Sequence, residues 1–303
     1  MSISHYIKVI GRGKQGARSL TREQASDLFG QVLDRTVTDF EIGGFCLAMR
    51  IKGETPEEMA GFLDATYQRL NHWPANPAGI PTVVLPSYNG ARKLPLLTPL
   101  LGLLLARKGL SVLVHGTPTE SGRVFISKVL EALDIPTHTA IKSIAPGEMA
   151  FAPTELFCPA LKGLLDVRRV IGLRNPAHSL VKIMNPCLGK SLVVSSYTHP
   201  EYAVSMAQTF ELTEANALLL RGTEGEVVAD ARRMPKMEAF VKGQHQLLQE
   251  AEAGTLTTLP DMPNSTDAAS TAAYITAVLA GQQPVPASIA RQVEHILLLA
   301  SGL

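Results

Sequence analysis

Cysteine is scarce in this chain. The 303 residues hold three, Cys46, Cys158 and Cys187, far apart and with no CxxC spacing. Such a set neither frames a disulfide scaffold nor supplies a thiolate zinc site, and it fits a reducing compartment. The expected location is the cytoplasm. Aromatic residues make up 5% of the chain, with a single tryptophan, too few to line a base-stacking platform of the single-strand-binding kind. Long apolar runs are missing as well. The most apolar stretch, Leu94 to Ala106, is broken by Pro95 and Pro99 and falls short of the ~20 residues a membrane helix requires. Met1 to Ile10 has no uninterrupted apolar core and runs into arginines, unlike a secretory signal. No membrane is expected as a partner.

What is present suits a folded protein with a sizeable core. The hydrophobic fraction is 46% and the mean hydropathy +0.12, and the length suggests about two domains. The net charge of +1 conceals an uneven distribution. Residues 1–22 carry Lys8, Arg12, Lys14, Arg18 and Arg22 with no acid. Residues 65–119 carry Arg69, Arg92, Lys93, Arg107 and Lys108, and residues 167–200 carry Arg168, Arg169, Arg174, Lys182 and Lys190, again with none. Residues 201–303 reverse the balance, with twelve acids against six bases. Each basic block taken singly reads as an ordinary solvated face. Three blocks converging in space would form a surface for phosphates.

The first seventy residues have helical grammar. Thr21 with Gln24 forms a capping box for a helix to about Leu33, and Thr55-Pro56-Glu57-Glu58 opens another. Phe40 to Ile51 is apolar nearly all round, as in a helix buried in a bundle or an interface. Trp73 to Gly79, rich in proline, reads as a linker. Beyond it strands and helices alternate: Thr82–Leu85, then a helix over Leu96–Lys108, Ser111–His115, then a helix over Gly122–Leu133. Later strands are expected at Ser191–Ser196 and Asn216–Arg221, flanking a helix from Pro200, with two closing helices near 268–280 and 286–301. This alternation predicts a parallel sheet with right-handed crossovers.

Val167-Arg168-Arg169-Val170-Ile171-Gly172-Leu173-Arg174, closing with Met184-Asn185-Pro186, and Val114-His115-Gly116 followed by Glu131-Ala132-Leu133 resemble motifs of the anthranilate phosphoribosyltransferase family (glycosyltransferase family 3). The resemblance runs over nearly the whole length. It implies an α/β protein of the nucleoside phosphorylase/phosphoribosyltransferase fold: an N-terminal α-helical bundle domain over 1–77, with part of about 160–186 packing on it, and a larger α/β domain over 78–303 with a mainly parallel central sheet. It also implies a homodimer formed through the N-terminal helices.

The motifs that bind the phosphoribosyl donor in that family are altered here. Its glycine-rich turn Gly-Thr-Gly-Gly-Asp, which wraps the pyrophosphate, is replaced by Pro86-Ser87-Tyr88-Asn89-Gly90-Ala91. Its Asn-x-Ser-Thr helix start is Leu96-Leu97-Thr98-Pro99, and its Lys-His-Gly-Asn-Arg is Val114-His115-Gly116-Thr117-Pro118. A donor-contacting serine is Ile126, and the magnesium-binding Asp-Glu pair is Glu224-Gly225, with Glu226 one residue further on. Ordinary phosphoribosyl transfer is not expected from such a site, because a dense anion needs amide, cationic and metal partners.

The replacement motifs, Ser87 to Lys93, Arg174 to Leu180 and Gly222 to Glu226, resemble the YbiB-type branch of the superfamily. That resemblance implies binding of DNA or RNA with little sequence preference, through phosphate contacts, with no cofactor and no metal. The candidate contacts are Lys8, Arg12, Lys14, Arg18, Arg92, Lys93, Arg168, Arg169, Arg174 and Lys182. Arg168 and Arg169 read equally as salt bridges across the domain junction. Asn175-Pro176 reads as the start of a helix that would carry Lys182 two turns along. His115, His178 and Glu224 are the remnant cleft residues: His115 reads first as structural and second as catalytic, His178 as a phosphate or acceptor contact or a partner for a carbonyl, and Glu224 and Glu226 first as exposed turn residues and second as metal ligands. The alternative is a transferase acting on a different phosphorylated sugar or nucleotide, and only then would magnesium enter. The chain is also expected to lack any further C-terminal segment of its relatives.

Overall fold

The computed structural model describes residues 2–13, 15–256 and 260–303; Lys14 lies outside them. Among the described residues four helices come first: α1 (Ser4–Ile10), α2 (Arg22–Leu33), α3 (Asp39–Lys52) and α4 (Pro56–Tyr67). The capping boxes read at Thr21 and Thr55 both form, and a third forms at Thr38 with Glu41. The α/β part then runs β1 (Thr82–Pro86), α5 (Thr98–Arg107), β2 (Ser111–Gly116), α6 (Ile126–Ala132), β3 (Met149–Pro153) and α7 (Thr154–Phe157). It continues through α8 (Pro159–Ile171), α9 (Ala177–Leu180), β4 (Ser191–Tyr197), α10 (Pro200–Leu212), β5 (Ala217–Arg221), β6 (Met237–Val241) and β7 (Gln244–Gln249). Helices α11 (Ala268–Leu279) and α12 (Ala287–Ser301) close the chain.

The strands form one sheet in the order β3-β2-β1-β4-β5-β6-β7. The first five are parallel, and β6 and β7 add antiparallel at one edge. The expected helical bundle with a mainly parallel α/β sheet is therefore the fold. Strand side chains alternate between two buried faces. Val83, Leu85, Val112 and Val114 pack under α5, α6, α11 and α12, whereas Val84, Leu113, Val193 and Leu219 join the core shared with the N-terminal helices.

Several expectations need correction. The segment from Trp73 to Gly79 is no free linker. Trp73 is fully buried, its N–H donates to the Pro186 carbonyl at 2.8 Å, and its own carbonyl accepts from Leu188 N–H at 2.8 Å. Prolines stop a helix here, but the indole's area has to leave water, so the strap is pinned down. The helix read from Gly122 begins only at Ile126, because Gly122 takes a φ of +81° and Val124 pairs with Ala91 as an isolated bridge. The helix after Asn175-Pro176 is a single turn, so Lys182 stands beyond its end rather than two turns along it. Helix α3 is not enclosed in the bundle, one of its two expected settings, and buries one side only. Ile42, Phe45, Cys46 and Met49 face inward, while Phe40 is 93% and Ile51 64% exposed.

Candidate functional site

Strand order reverses on either side of β1, whose neighbours are β2 and β4. Ligand clefts of open α/β sheets lie at the carboxyl ends of strands beside such a point. The segments that meet there are 87–94 after β1, 117–123 after β2 and 222–226 after β5.

The centre of this cleft is filled by the chain itself. Glu226, 1% exposed, accepts hydrogen bonds from Ser87 Oγ (2.5 Å), Asn89 N (2.7 Å), Gly90 N (2.8 Å) and Thr98 Oγ (3.2 Å). Beyond Ala91, whose N–H donates to the Val124 carbonyl, Glu224 accepts from three amides, Arg92 N at 2.9 Å, Lys93 N at 3.1 Å and Leu94 N at 3.3 Å. Its carbonyl accepts from Asn89 Nδ2 at 2.8 Å. Successive amides turned toward one point make a nest for an anion, and each of these two nests holds a glutamate. The contacts hold Glu224 at a φ of 52°, a left-handed conformation that costs about 1–3 kcal/mol in a residue with a side chain. Hydrogen bonds to a charged group contribute roughly 1.5–3 kcal/mol each, so the set outweighs the strain. Gly225, between the glutamates, has a φ of +85°, and a Cβ there would stand 1.9 Å from Asn89 Nδ2. Neither glutamate is the exposed turn residue expected from sequence.

Lys182 braces the same turn. Its Nζ donates to the Gly225 carbonyl at 3.1 Å, as Ser196 Oγ does at 2.8 Å. Burial pushes the lysine down to about 8, with Arg174 and Arg123 adding to the depression and Glu226 opposing it.

At the rim three guanidinium groups share one carboxylate. Arg168 and Arg174 reach Glu120 Oε1 at 2.7 and 2.5 Å, and Arg123 reaches Oε2 at 3.1 Å. Burial would raise the Glu120 carboxyl, but the hydrogen bonds from Arg168 and Arg174 and the charge of Arg123 outweigh it and hold it at about 2. Arg123 also donates to the Asn89 carbonyl at 3.2 Å, tying the rim to the nest. Arg168 lies on α8 and Glu120 on the segment after β2, so this ion pair joins elements 48 residues apart in the chain. Arg169 is exposed and pairs with Asp166 on its own helix at 3.3 Å. Arg92 and Lys93 are exposed beside the second nest.

The two histidines are not at the surface. His115 is fully buried, bonded through Nδ1 to Tyr88 Oη at 2.8 Å and edge-on to Phe157, and burial pushes it down to about 3. It has no face open to a ligand. His178, 8% exposed, turns Nδ1 to Asn175, and its buried Nε2 has no protein partner. Burial, with Arg174 and Arg168 nearby, pushes it down to about 3 as well.

Lys8, Arg12 and Arg18 are exposed on α1 and the segment after it, which packs on α3. No hydrogen bond or ion pair among the described residues ties them to the cleft. The residues present do not fit magnesium: the carboxylates of Glu224 and Glu226 are directed at N–H and O–H donors, and no three His, Cys, Asp or Glu side chains converge among the described residues.

Sequence patterning alone does not single out Ser87, Thr98 or Glu120. The available signal for Glu120 was its isolation, since it is the first acid after Asp64 and ends an acid-free block. For Glu226 it was the joint change of two distant motifs: the loop lost glycines while the turn gained a glutamate.

Residues 4–69 match the helical bundle domain of the glycosyl transferase family. The uncharacterized protein YbiB of Escherichia coli (strain K12) is 39% identical over 308 residues, covering 100% of this chain and 95% of that one. An anthranilate phosphoribosyltransferase of Methanosarcina acetivorans is 29% identical over 267 residues, 86% of this chain and 67% of its own. Among solved structures, anthranilate phosphoribosyltransferase (TrpD) from Thermus thermophilus superposes with a TM-score of 0.70 at 21% identity, covering 97% of this chain and 86% of that one. The Saccharomyces cerevisiae enzyme in complex with PRPP and Mg gives a TM-score of 0.70 at 13% identity, over 99% and 89%. At such identities the two structures show a shared fold. Among the described residues no helix is long and apolar enough to cross a membrane.

Proposed function

From a chain that belongs to the anthranilate phosphoribosyltransferase-like superfamily of glycosyl transferase family 3, we propose a protein that binds nucleic acid through phosphate contacts and performs no phosphoribosyl transfer. One observation carries this reading: the anion nests inside the cleft are taken by internal carboxylates, while the cations stand at its rim. At the rim Arg92, Lys93, Arg123, Arg168, Arg169 and Arg174 stand against three carboxylates, Glu120, Asp166 and Glu224, while Lys182 and Glu226 lie deeper. The rim therefore keeps a positive excess with no small anion to neutralise it. Long-range attraction of this kind favours a polyanion and reads its backbone rather than its bases. Lys8, Arg12 and Arg18, exposed on α1 and the segment after it, would add to the basic surface.

A second copy of the chain fits the reading. Phe40, Leu47 and Ile51 lie exposed along one side of α3, with Val170 and Leu173 exposed at the end of α8. Dimerisation through these helices would double the basic surface and raise avidity. A cytoplasmic location suits the three free, buried cysteines.

The test is fluorescence anisotropy of a labelled random-sequence oligonucleotide across a salt series. A linear fall of log K with log salt, at about 0.9 per phosphate contacted, is expected. Lys93→Glu with Arg169→Glu, both exposed, should weaken every sequence alike and flatten that slope. No binding at low salt would overturn the reading. One observation favours a transferase with another phosphorylated ligand: the unpartnered, buried His178 Nε2 beside Arg174. Rescue of a tryptophan auxotroph by the gene would overturn the absence of phosphoribosyl transfer, and a phosphorylated sugar or nucleotide that shifts the His178 ring resonances would support that alternative.

A further inference from the structure

We propose that the turn Gly222–Glu226 is a built-in anion plug, in which Glu226 and Glu224 occupy the places of two linked phosphoryl groups and shut the cleft to phosphate esters. The inference rests on the same filled nests as the proposed function and deepens its interior half; it does not depend on whether the rim binds nucleic acid.

Three features support it. The donors are of the kind that would grip a phosphate: two hydroxyls and two amides around Glu226, three amides around Glu224. Such donors are indifferent to whether the oxygen they meet belongs to a carboxylate or a phosphate. The two carboxylates are carried two positions apart on a single turn, so together they present a two-headed anion to two adjoining nests. The seat is tight. Gly225 lies where a Cβ would collide with Asn89, and Gly222 where one would stand 1.7 Å from the Glu226 carbonyl oxygen. Between the loop and the turn there is no room for a water molecule. Lys182 and Ser196 hold the turn from behind through the Gly225 carbonyl. The carboxylates that a magnesium ion would need have thus become the ligand itself.

Inorganic pyrophosphate is the probe. In the unaltered protein, amide resonances of Asn89, Gly90 and Arg92 to Leu94 should stay unmoved at millimolar pyrophosphate. Glu226→Ala frees the deep nest, and pyrophosphate should then raise the melting temperature by several degrees and shift the Asn89 and Gly90 amides. Glu226→Gln, which still fills the space, should show neither effect. Shifts at Asn89 and Gly90 in the unaltered protein would overturn the proposal. So would a folded Glu226→Ala variant that ignores pyrophosphate. Should Glu226→Ala fail to fold, Glu224→Ala opens the shallower nest instead. Pyrophosphate-induced shifts at Arg92 to Leu94 in that variant support the plug, and their absence overturns it.

Discussion

Replacing Glu120 with glutamine keeps the shape of the rim and removes the charge that three arginines share. The carboxyl sits at about 2 against an ordinary 4.5, and at the rim of the cleft solvent screening takes part of the effect. At ~1.4 kcal/mol per unit, the depression corresponds to about 3 kcal/mol of stability before screening. Its folded value lies below the unfolded one, so the contribution is complete above about pH 4.5 and lost as the pH falls toward 2. In urea titrations near neutral pH, Glu120→Gln should therefore be about 2–3 kcal/mol less stable. The gap to the parent should close as the pH is lowered through that window. The same change should act oppositely on ligand binding. Arg168 and Arg174 lose their internal counter-ion, so oligonucleotide affinity should rise about tenfold, or ~1.4 kcal/mol. The salt slope should steepen by about one. Equal stability near neutral pH, or a gap that persists unchanged at low pH, would refute the ionised, arginine-clamped carboxylate. Weaker oligonucleotide binding would refute its role as a competitor of phosphate.

Gly225→Ala should destabilise the protein by at least ~2 kcal/mol, since a positive φ and a Cβ on top of Asn89 are both unfavourable; chemical denaturation would measure it. Leu47→Asp with Ile51→Asp, both exposed on α3, should yield a monomer by light scattering while leaving the circular dichroism unchanged. An unaltered mass would place any dimer contact elsewhere. Lys182 has a folded value depressed to about 8, so the unfolded chain holds the extra proton between about 8 and 10.5, and stability should rise with pH across that window. Lys182→Met should abolish that rise, as followed by thermal melts at a series of alkaline pH values.

Local chemistry made much of the fold legible in advance. The capping boxes at Thr21 and Thr55 lie within a few residues of each other and form wherever the helix does, so their residues announce the helix starts. The apolar runs of β1, β2, β4 and β5 are buried on both faces and need no partner to be recognised. Strands β3, β6 and β7 were not evident. Met149 to Pro153 is apolar but has no β-branched residue, and Gln244 to Gln249 is mostly polar and exposed at a sheet edge, so neither announces itself as a strand. The loss of the glycine-rich turn was also visible in the residues alone, as was the clustering of arginines after Val167.

The sequence could not reveal what replaced the lost anion. Glu226 lies 136 residues from Gly90 and Glu120 lies 54 from Arg174, separations across which no periodicity or motif carries information. Only the order of strands in the sheet brings the turn after β5 against the loop after β1. There a carboxylate that reads as a solvated turn residue becomes a buried acceptor. The sequence by itself determined the helical bundle, the parallel sheet and the stock of cations. The tertiary structure decided which cations stay at the rim and which anions fill the cleft, because electrostatic pairing depends on distance in space and burial, neither of which is local in the chain.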